Sequence, residues 1–277
     1  RCYCYLPLYI FCGEHLLCAR LRPSNQDASA GSVDELERIV SQIRARWPKT
    51  RIVIRGDAGF CREAIMAWCE ANNVHYVLGL ARNKRLQRAL GEAMEEARTA
   101  HERSGKPARR FRDFRYRTRK SWSRERRVIG KAEYLPGKAN PRFVATNLTI
   151  REASAKRLYE HLYCARGEME NRIKEQQLGL FADRTSTTTL RANQLRLYFS
   201  SFAYVLLHGL RRLGLAGTEH AKAQSTTIRV KLLKIGARIR ITVRKVWLAF
   251  SEAFPYAKDI AQILANLQRY PAWSPPG

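Results

Sequence analysis

The chain has 277 residues, enough for one large domain or two small ones whose core needs no disulfide or structural metal. Hydrophobic residues make up 45% of it and charged residues 27%, a balance that excludes wholesale disorder and collagen-like or low-complexity structure. Lys and Arg number 51 against 24 Asp and Glu, so the formal net charge is +27. Such an excess is typical of proteins with a polyanionic partner, which makes nucleic acid the first candidate and an anionic membrane surface the second.

The sequence contains no run of about 18 consecutive apolar residues, so no membrane span is predicted. Its first residues lack an initiator Met and alternate as in a strand, unlike the apolar core of a signal peptide. We therefore expect the chain to begin inside a larger protein and to lack part of the fold.

The seven cysteines are an odd number without Cys-x-x-Cys pairs, which predicts reduced, buried thiols in a cytosolic protein. Cys2 and Cys4 would share one face of a strand, where packing explains them as well as a metal does. The six histidines show no ligand spacing and are interpreted as structural.

The first third of the chain alternates between short apolar runs and turn residues. Two β-rich runs, 2–12 and 15–21, meet at the turn Gly13-Glu14, which predicts an antiparallel hairpin. Ser32 followed by Glu35 predicts a capping box at the start of a helix that ends at Pro48. The next elements are a strand, a glycine-containing turn, a helix and a strand, at residues 51–55, 56–59, 61–72 and 74–80. This order predicts a mixed α/β sheet.

In the rest of the chain the hydrophobic pattern changes from helical spacing to strand alternation and back to helical spacing. Residues 83–108 are predicted helical, and 109–148 alternate as in strands, with runs at 126–134 and 142–147. Helix patterns return in three segments, followed by an irregular tail, at residues 151–180, 190–213, 246–267 and 271–277. We divide the chain into four parts. Residues 1–82 are the first part of the core, and 83–149 are a helical then β-rich basic insertion. Residues 150–213 are the second part of the core, and 214–277 are a basic helical C-terminal region.

Asp57 is the first candidate for chemistry. It directly follows a short apolar strand and lies between Gly56 and Gly59, a position where α/β proteins place working side chains. The glycines leave room for a ligand to approach the carboxylate. Gly-Asp-x-Gly is equally a turn with an Asx cap, and local chemistry does not separate the two interpretations.

The second candidate is a helix face with a phenol, a guanidinium, a carboxylate and an ammonium. Steps of three, four and four place them on one stripe, formed by Tyr163, Arg166, Glu170 and Lys174. On a solvated face they form an ion-pair ladder. At the end of a sheet they form a phosphate and metal site, since Mg²⁺ prefers carboxylates and Arg grips phosphate oxygens.

Two basic segments support a nucleic-acid partner. Residues 101–131 contain 13 Lys and Arg against three acids, with aromatic residues interleaved. The positive charge can follow phosphates while aromatics stack on bases, or the aromatics can form a local core beneath a solvated surface. The phosphate-binding candidates here are Arg115, Arg117, Arg119 and Lys120. Residues 222–245 add eight Lys and Arg and no acid, as a second DNA-facing patch or as a solubilising surface.

In this order the motifs resemble DDE-type transposases of bacterial insertion sequences, in the group with a Tyr-x-x-Arg-x-x-x-Glu helix. That motif is Tyr163, Arg166 and Glu170 here. The segment Arg55-Gly-Asp57-Ala-Gly-Phe60 is similar to the family's second-aspartate segment, and residues 2–13 and 20–25 are similar to its strand and turn elements. The resemblance covers most of the chain.

The resemblance implies an α/β, ribonuclease-H-like mixed sheet with flanking helices, a β-rich insertion between the second and third acidic positions, and a C-terminal helical region. Asp57 and Glu170 would be catalytic and would bind metal, completing with one more Asp a site for two Mg²⁺ or Mn²⁺ ions. Tyr163, Arg166 and Lys174 would hold DNA phosphates.

Two departures from the family pattern follow from the residues. No aspartate precedes Asp27, so the first catalytic Asp is expected upstream of the chain, and the chain alone is expected to bind metal weakly and not to cleave. The family's Lys seven residues after the Glu is Gln177 here, and Lys174 is the candidate replacement.

The implied function is metal-dependent DNA strand cleavage at element ends and strand transfer into target DNA, without a nucleotide cofactor. The implied partner is double-stranded DNA, bound by a homodimer in the bacterial cytoplasm at the nucleoid. A nuclease on the same fold and a catalytically inactive DNA-binding fragment are the alternatives.

Overall fold

The computed structural model describes residues 4–270. Cys2, whose face of a strand was predicted to be shared with Cys4, and the predicted irregular tail 271–277 lie outside this range. Within it, no helix combines the length and apolar character needed to cross a membrane.

The strands are β1 to β10, at Leu8–Cys12, His15–Arg20, Val53–Gly56, His75–Leu80, Ala108–Tyr116, Arg126–Leu135, Lys138–Ala139, Arg142–Thr146, Ala237–Ile241 and Val246–Phe250. The α-helices are α1 to α9, at Ser32–Arg46, Glu63–Ala71, Lys84–Ala89, Gly91–Ser104, Ala155–Arg157, Gly167–Lys174, Leu190–Gly209, Ser225–Ile228 and Ala257–Gln268. Two 3-10 turns lie at Ala58–Phe60 and Cys164–Arg166. π-helical turns lie at Leu158–Tyr163, Glu175–Gly179, Leu210–Gly214 and Arg229–Leu233.

The chain forms two compact units. The first consists of Pro23–Glu168 with the described residues up to Leu6, and the second of Pro7–Arg22 with the residues from Met169 onward. The predicted four-part division is finer than this and stays a prediction.

The first unit is built on a six-stranded mixed sheet in the order β3-β4-β8-β6-β5, with β7 on β6. Strands β3 and β4 are parallel, and the other pairs are antiparallel. The mixed sheet with flanking helices confirms the predicted fold class and is compatible with a ribonuclease-H-like fold. The strands predicted as an insertion are hydrogen-bonded into this sheet, since β8 pairs directly with β4.

Both faces of this sheet are covered, which explains why its central strands are apolar at consecutive positions. On one face, Val77, Ile129 and Val144 pack with Leu158 and Tyr159 from the helical segment after residue 154. On the other, Leu90 meets Gly130 so closely that a Cβ there would lie 2.7 Å from its Cδ1.

Helix α1 begins differently from the prediction. Gly31, with φ of 70°, occupies the cap position, so Ser32 is the first helical residue and makes no capping bond. Glu35 instead accepts a hydrogen bond from Arg38 at 2.9 Å. The predicted capping box is therefore wrong, because a left-handed glycine starts the helix.

The second unit contains the predicted hairpin β1–β2, but as a two-stranded sheet of its own. It packs on α7, where Tyr204 donates a hydrogen bond to the Glu14 carbonyl at 2.9 Å and Gln194 binds the backbone of Ala19 and Leu21. The expectation that this hairpin joins the mixed sheet is wrong, because the hairpin forms a separate sheet whose turn and end are hydrogen-bonded by side chains of α7.

The predicted helix at 246–267 is divided. Residues Val246–Phe250 form β10, paired with β9, and α9 begins only at Ala257. A turn at Thr242, whose hydroxyl accepts from the Lys245 N–H at 3.1 Å, reverses the chain, and Pro255 separates strand from helix. The residues Val, Trp and Phe favour a strand over a helix here.

The cysteine prediction is correct in part. All six cysteines of the described residues are free thiols, and Cys18, Cys61 and Cys69 are buried. Burial raises the pKa of Cys61 and of Cys69 to about 12, so both thiols stay protonated. The other three, Cys4, Cys12 and Cys164, are exposed, contrary to prediction.

Candidate active site at the carboxyl ends of the parallel strands

Three strands of the first unit meet at one edge of the sheet. The parallel strands β3 and β4 both end there, and the antiparallel β8 begins there, because Leu80 pairs with Phe143. In open α/β sheets, ligands bind at the carboxyl ends of the strands. Asp57 directly follows β3 and therefore lies at this edge.

Asp57 is exposed and begins the 3-10 turn Ala58–Phe60. Its Oδ1 accepts a hydrogen bond from the Gly59 N–H at 2.8 Å. Its Oδ2 accepts no hydrogen bond within the described part of the chain. The structure confirms the Asx cap, because one carboxylate oxygen caps the turn. The other oxygen is open to a ligand, and a chemical role for Asp57 stays a prediction.

Two glycines allow neighbouring groups to approach Asp57 and the turn after it closely. A Cβ on Gly59 would lie 3.0 Å from Asp57 Oδ1, so a side chain there would press on the capping oxygen. A Cβ on Gly79, in β4, would lie 2.6 Å from the hydroxyl of Tyr163 and 3.0 Å from the backbone N of Ala58. Gly79 thus lets the Tyr163 hydroxyl and the turn after Asp57 meet over the end of β4.

Tyr163 ends the π turn Leu158–Tyr163, and Arg166 ends the 3-10 turn after it. Residues three apart eclipse one another in a 3-10 turn. The Arg166 guanidinium accordingly lies over the Tyr163 ring, 5.5 Å from its centroid. Burial, together with the negative charge of Asp57, raises the pKa of Tyr163 against the opposing charge of Arg166. Tyr163 is therefore a neutral phenol at physiological pH and can donate a hydrogen bond.

Two more arginines belong to this edge, and sequence reasoning missed both. Arg142 is the first residue of β8, and its positive charge acts on the Tyr163 phenol. Arg55, in β3, donates a hydrogen bond to the Leu162 carbonyl at 3.3 Å and so ties the strand to the π turn. The Arg55-Gly-Asp57 motif could have pointed to Arg55 from the sequence. Arg142 comes to this edge only because β8 pairs antiparallel with β4, which no local motif indicates. We call Asp57, Tyr163, Arg166 and Arg142 the edge cluster.

Asp27 contributes to the support of this region. Its Oδ1 accepts from the backbone and hydroxyl of Ser29, and its Oδ2 accepts from Arg62 at 2.9 Å. Hydrogen bonds from Ser29, then from Arg62, hold the pKa of Asp27 well below its usual range. Both oxygens are engaged, so Asp27 braces the loop beside residues 57–60.

Glu170 and Lys174 lie in α6, in the part assigned to the second unit. Their predicted association with Asp57 therefore stays a prediction. The next residue, Glu175, has a structural role, since it accepts hydrogen bonds from Arg211 and from the backbone and hydroxyl of Ser225.

The cations of the basic segment 101–131 differ in whether they have acidic partners. Seven of its cations have acidic partners, namely Arg109, Arg110, Arg112, Arg124, Arg126, Arg127 and Lys131. The predicted phosphate-binding residues Arg115, Arg117, Arg119 and Lys120 are all exposed and form no ion pair within residues 4–270. These four therefore keep their charge available for a polyanion.

The aromatic residues of that segment do not support base stacking. Tyr116 and Trp122 are buried and meet edge to face at 5.7 Å, and Phe111 packs against Tyr159. Of the two interpretations left open by the sequence, the local core is correct for these residues.

The second unit holds one group that sequence spacing missed. Ligand atoms of Glu219, His220 and Asp259 lie within 4.8 Å of one another. His220 is buried, and its Nδ1 lies 2.5 Å from an Asp259 carboxylate oxygen. The contact ties the loop before α8 to the first turn of α9.

The tight packing at Gly79 gives a direct test of the edge cluster. We expect Gly79→Ala to lower the free energy of unfolding by about 1–3 kcal/mol, because the new methyl group overlaps Tyr163 and the backbone of Ala58. Urea denaturation measures this loss. Adding Tyr163→Phe removes the oxygen in closest contact, so the double variant is expected to recover part of it.

The matched control for this test is Gly91→Ala, since nothing lies within 4 Å of a Cβ at Gly91. That substitution is expected to be neutral or slightly stabilising. If Gly79→Ala and Gly91→Ala unfold at the same urea concentration, the close contact of Gly79 with the Tyr163 hydroxyl and the Ala58 backbone is contradicted.

No curated protein matches the chain. A family model described as transposase DDE domain group 1 matches residues 1–272, which is nearly the whole chain. The chain therefore belongs to the transposase DDE domain family, as its motifs indicate.

Proposed function

We propose that this chain supplies catalytic residues for DNA strand cleavage at the ends of a mobile element and for transfer of those strands into target DNA. The observation that carries the proposal is the edge cluster, in which an exposed carboxylate with one open oxygen lies near a neutral phenol that the Arg166 guanidinium overlies. The family match supports the general role of a transposase.

The residues present fit a divalent cation. Asp57 has a hard oxygen ligand that is exposed and accepts no hydrogen bond within residues 4–270, and Glu170 is exposed on α6. Mg²⁺ commonly binds through one or two carboxylates together with substrate phosphates. We propose that Asp57 and Glu170 hold the ions along with the first Asp of the family triad. When bound, Mg²⁺ or Mn²⁺ would supply Lewis-acid activation of the attacking oxygen and stabilisation of the leaving oxygen.

The cationic residues of the edge would position the DNA strand. A guanidinium presents a planar fork that matches two phosphate oxygens, which suits Arg166. Arg166 stacks on Tyr163, so the ring holds the guanidinium over the end of the sheet. The phenol of Tyr163 would donate to a phosphate oxygen, and Lys174 would add a point charge.

The wider DNA path would include the four cations at the end of β5 and in the β5–β6 connection that form no ion pair within residues 4–270. Arg115 and Arg117 donate to the backbone carbonyls of Glu125 and Trp122, which holds this connection in place. Arg119 and Lys120 lie at its tip. Exposed cations held in this way neutralise phosphates without reading sequence.

Two reactions follow from this assignment, both without a nucleotide cofactor. In the first, water attacks a phosphodiester at the element end and releases a 3′-hydroxyl. In the second, that hydroxyl attacks a target phosphodiester and displaces the target's 3′ oxygen, so one bond forms as one breaks. We propose that a homodimer on bacterial chromosomal DNA in the cytoplasm pairs the two ends.

The test is a cleavage and joining assay on labelled element-end DNA, with the chain in its complete gene product. We expect products of both reactions with Mg²⁺ or Mn²⁺, none with excess EDTA, and recovery when Mg²⁺ is restored. Cleavage without joined products would instead identify a nuclease on the same fold. DNA binding without any metal-dependent product would identify an inactive DNA-binding protein.

A further inference from the structure

Strands β9 and β10 form an antiparallel hairpin in the second unit. All ten residues of the two strands are exposed. An isolated two-stranded hairpin is marginally stable in water. Both faces of this hairpin are exposed although the Phe250 ring lies 6.1 Å from that of Phe254, so a partner on one face would stabilise it.

The two faces of this hairpin differ in chemistry. Arg240 pairs with Trp247 across the strands and Arg238 pairs with Ala249, while Ile239 pairs with Leu248 at the intervening position. Directly opposed residues share a face, and successive residues alternate between faces. One face therefore carries Arg238, Arg240 and Trp247, and the other carries apolar side chains that include Phe250.

Among residues 4–270, no acidic side chain neutralises the cationic face. Residues 222–250 contain eight Lys and Arg and no acid. Neither Arg238 nor Arg240 forms an ion pair within residues 4–270. Lys245, in the turn, lies over the Trp247 ring at 5.6 Å and adds its charge to this face.

The dimensions of the hairpin suit duplex DNA. The major groove of B-DNA, about 12 Å wide, admits a two-stranded β-ribbon. Arg238 and Arg240 are two residues apart on one strand, so their Cα atoms are about 7 Å apart at about 3.4 Å per residue. Two guanidinium groups on one edge of such a ribbon can therefore reach successive phosphates of a strand that borders the groove.

We propose that the cationic face of the β9–β10 hairpin binds the phosphate backbone of double-stranded DNA, through Arg238, Arg240 and Lys245. The proposal rests on the proposed function only in taking DNA as the partner. It narrows the predicted DNA-facing patch at residues 222–245 to one face of a hairpin, which lies outside the edge cluster.

The salt dependence of DNA binding tests the proposal. Each phosphate neutralised contributes about 0.9 to the slope of log K against log salt. We expect Arg238→Ala/Arg240→Ala to lower that slope by about 1.8 for a DNA duplex, measured by fluorescence anisotropy with EDTA present. The same two contacts correspond to about a 60-fold weaker affinity at about 0.1 M salt, with little difference near 1 M.

Three control variants make the result specific. Arg46→Ala/Lys49→Ala removes the same charge from exposed positions outside both basic segments and is expected to leave the slope within about 0.5 of the parent. Arg238→Lys/Arg240→Lys keeps the charge and is expected to restore the slope. Asp57→Asn is expected to bind as the parent does, which separates this site from catalysis.

Each outcome decides the proposal. An unchanged slope in the Arg238→Ala/Arg240→Ala variant overturns it, as does equal loss in the Arg46→Ala/Lys49→Ala control or a parent chain that binds no duplex. A loss confined to binding of vesicles that contain phosphatidylserine overturns it in favour of a membrane surface. If the hairpin variant loses DNA affinity while Asp57→Asn still cleaves, the hairpin assignment stands and the proposed catalytic site fails.

Discussion

Replacing Asp57 with Asn is expected to lower the rate of DNA cleavage and joining by at least about 10³-fold, which corresponds to about 4 kcal/mol of activation free energy. The substitution removes the charge that would hold a divalent cation but keeps the shape of the side chain. The amide oxygen can still accept the hydrogen bond from the Gly59 N–H, so the turn is preserved. Melting temperature and duplex affinity are therefore expected to stay close to those of the parent.

Matched controls separate the role of Asp57 from a general loss of acid groups. Asp34→Asn changes an exposed aspartate in α1 and is expected to leave the cleavage rate unchanged. For the predicted third acid, Glu170→Gln is expected to act like Asp57→Asn, whereas Glu168→Gln, also in α6, is expected to have little effect. Single-turnover cleavage rates measure all four variants. Full activity of Asp57→Asn would contradict the assignment of the site.

The second large effect is expected in the stability of the first unit, where Arg126 is almost fully buried. Its side chain is 2% exposed, and it donates to Glu70 at 2.8 Å and to Glu63 at 2.7 Å. Glu70 also accepts a hydrogen bond from Tyr76 at 2.8 Å. This network joins α2 to β6 and β4.

We expect Arg126→Met to lower the free energy of unfolding by about 3–5 kcal/mol, because it leaves the buried Glu70 carboxylate without its main partner. Arg124→Ala is the control, since Arg124 pairs with the same carboxylate but its side chain is 61% exposed, and it is expected to cost less than about 1 kcal/mol. Urea denaturation at neutral pH measures both. Equal losses in the two variants would show that burial of Arg126 is not what makes this network important.

The same network sets a pH dependence. Burial alone would raise the pKa of Glu70, but hydrogen bonds from Arg126, Arg124 and Tyr76 outweigh it and lower the pKa from 4.5 to about 2. A carboxyl whose folded-state pKa is depressed stabilises the fold above its unfolded-state value and loses that contribution as the pH falls to the folded-state value. The parent is therefore expected to lose stability between about pH 4.5 and pH 2, and Arg126→Met is expected to lose less over that interval.

Prediction from the sequence succeeded where the signal was local. Strands β3 to β6 and β8 follow from alternation and from glycine or proline boundaries, because side-chain period and turn chemistry depend on neighbouring residues. The pairing of Tyr163 with Arg166 follows from a three-residue step along one helical segment. The open carboxylate at Asp57 follows from a strand that ends at a Gly-Asp-x-Gly turn.

Contacts between distant residues were not accessible in the same way. The four exposed cations at 115–120 and the buried Arg126 have similar sequence surroundings. Of these five, only Arg126 pairs with carboxylates more than 50 residues away. Arg142 joins the edge cluster only because β8 pairs antiparallel with β4, and hairpin β1–β2 packs on α7 although its own pattern fits a larger sheet equally well. Composition, periodicity and motif order were enough to predict the mixed sheet, the DNA partner and the family. Which residue pairs with each buried charge, and what packs on each strand edge, is decided between segments that are far apart in the chain. The hydrophobic pattern of one segment does not specify which distant segment it meets.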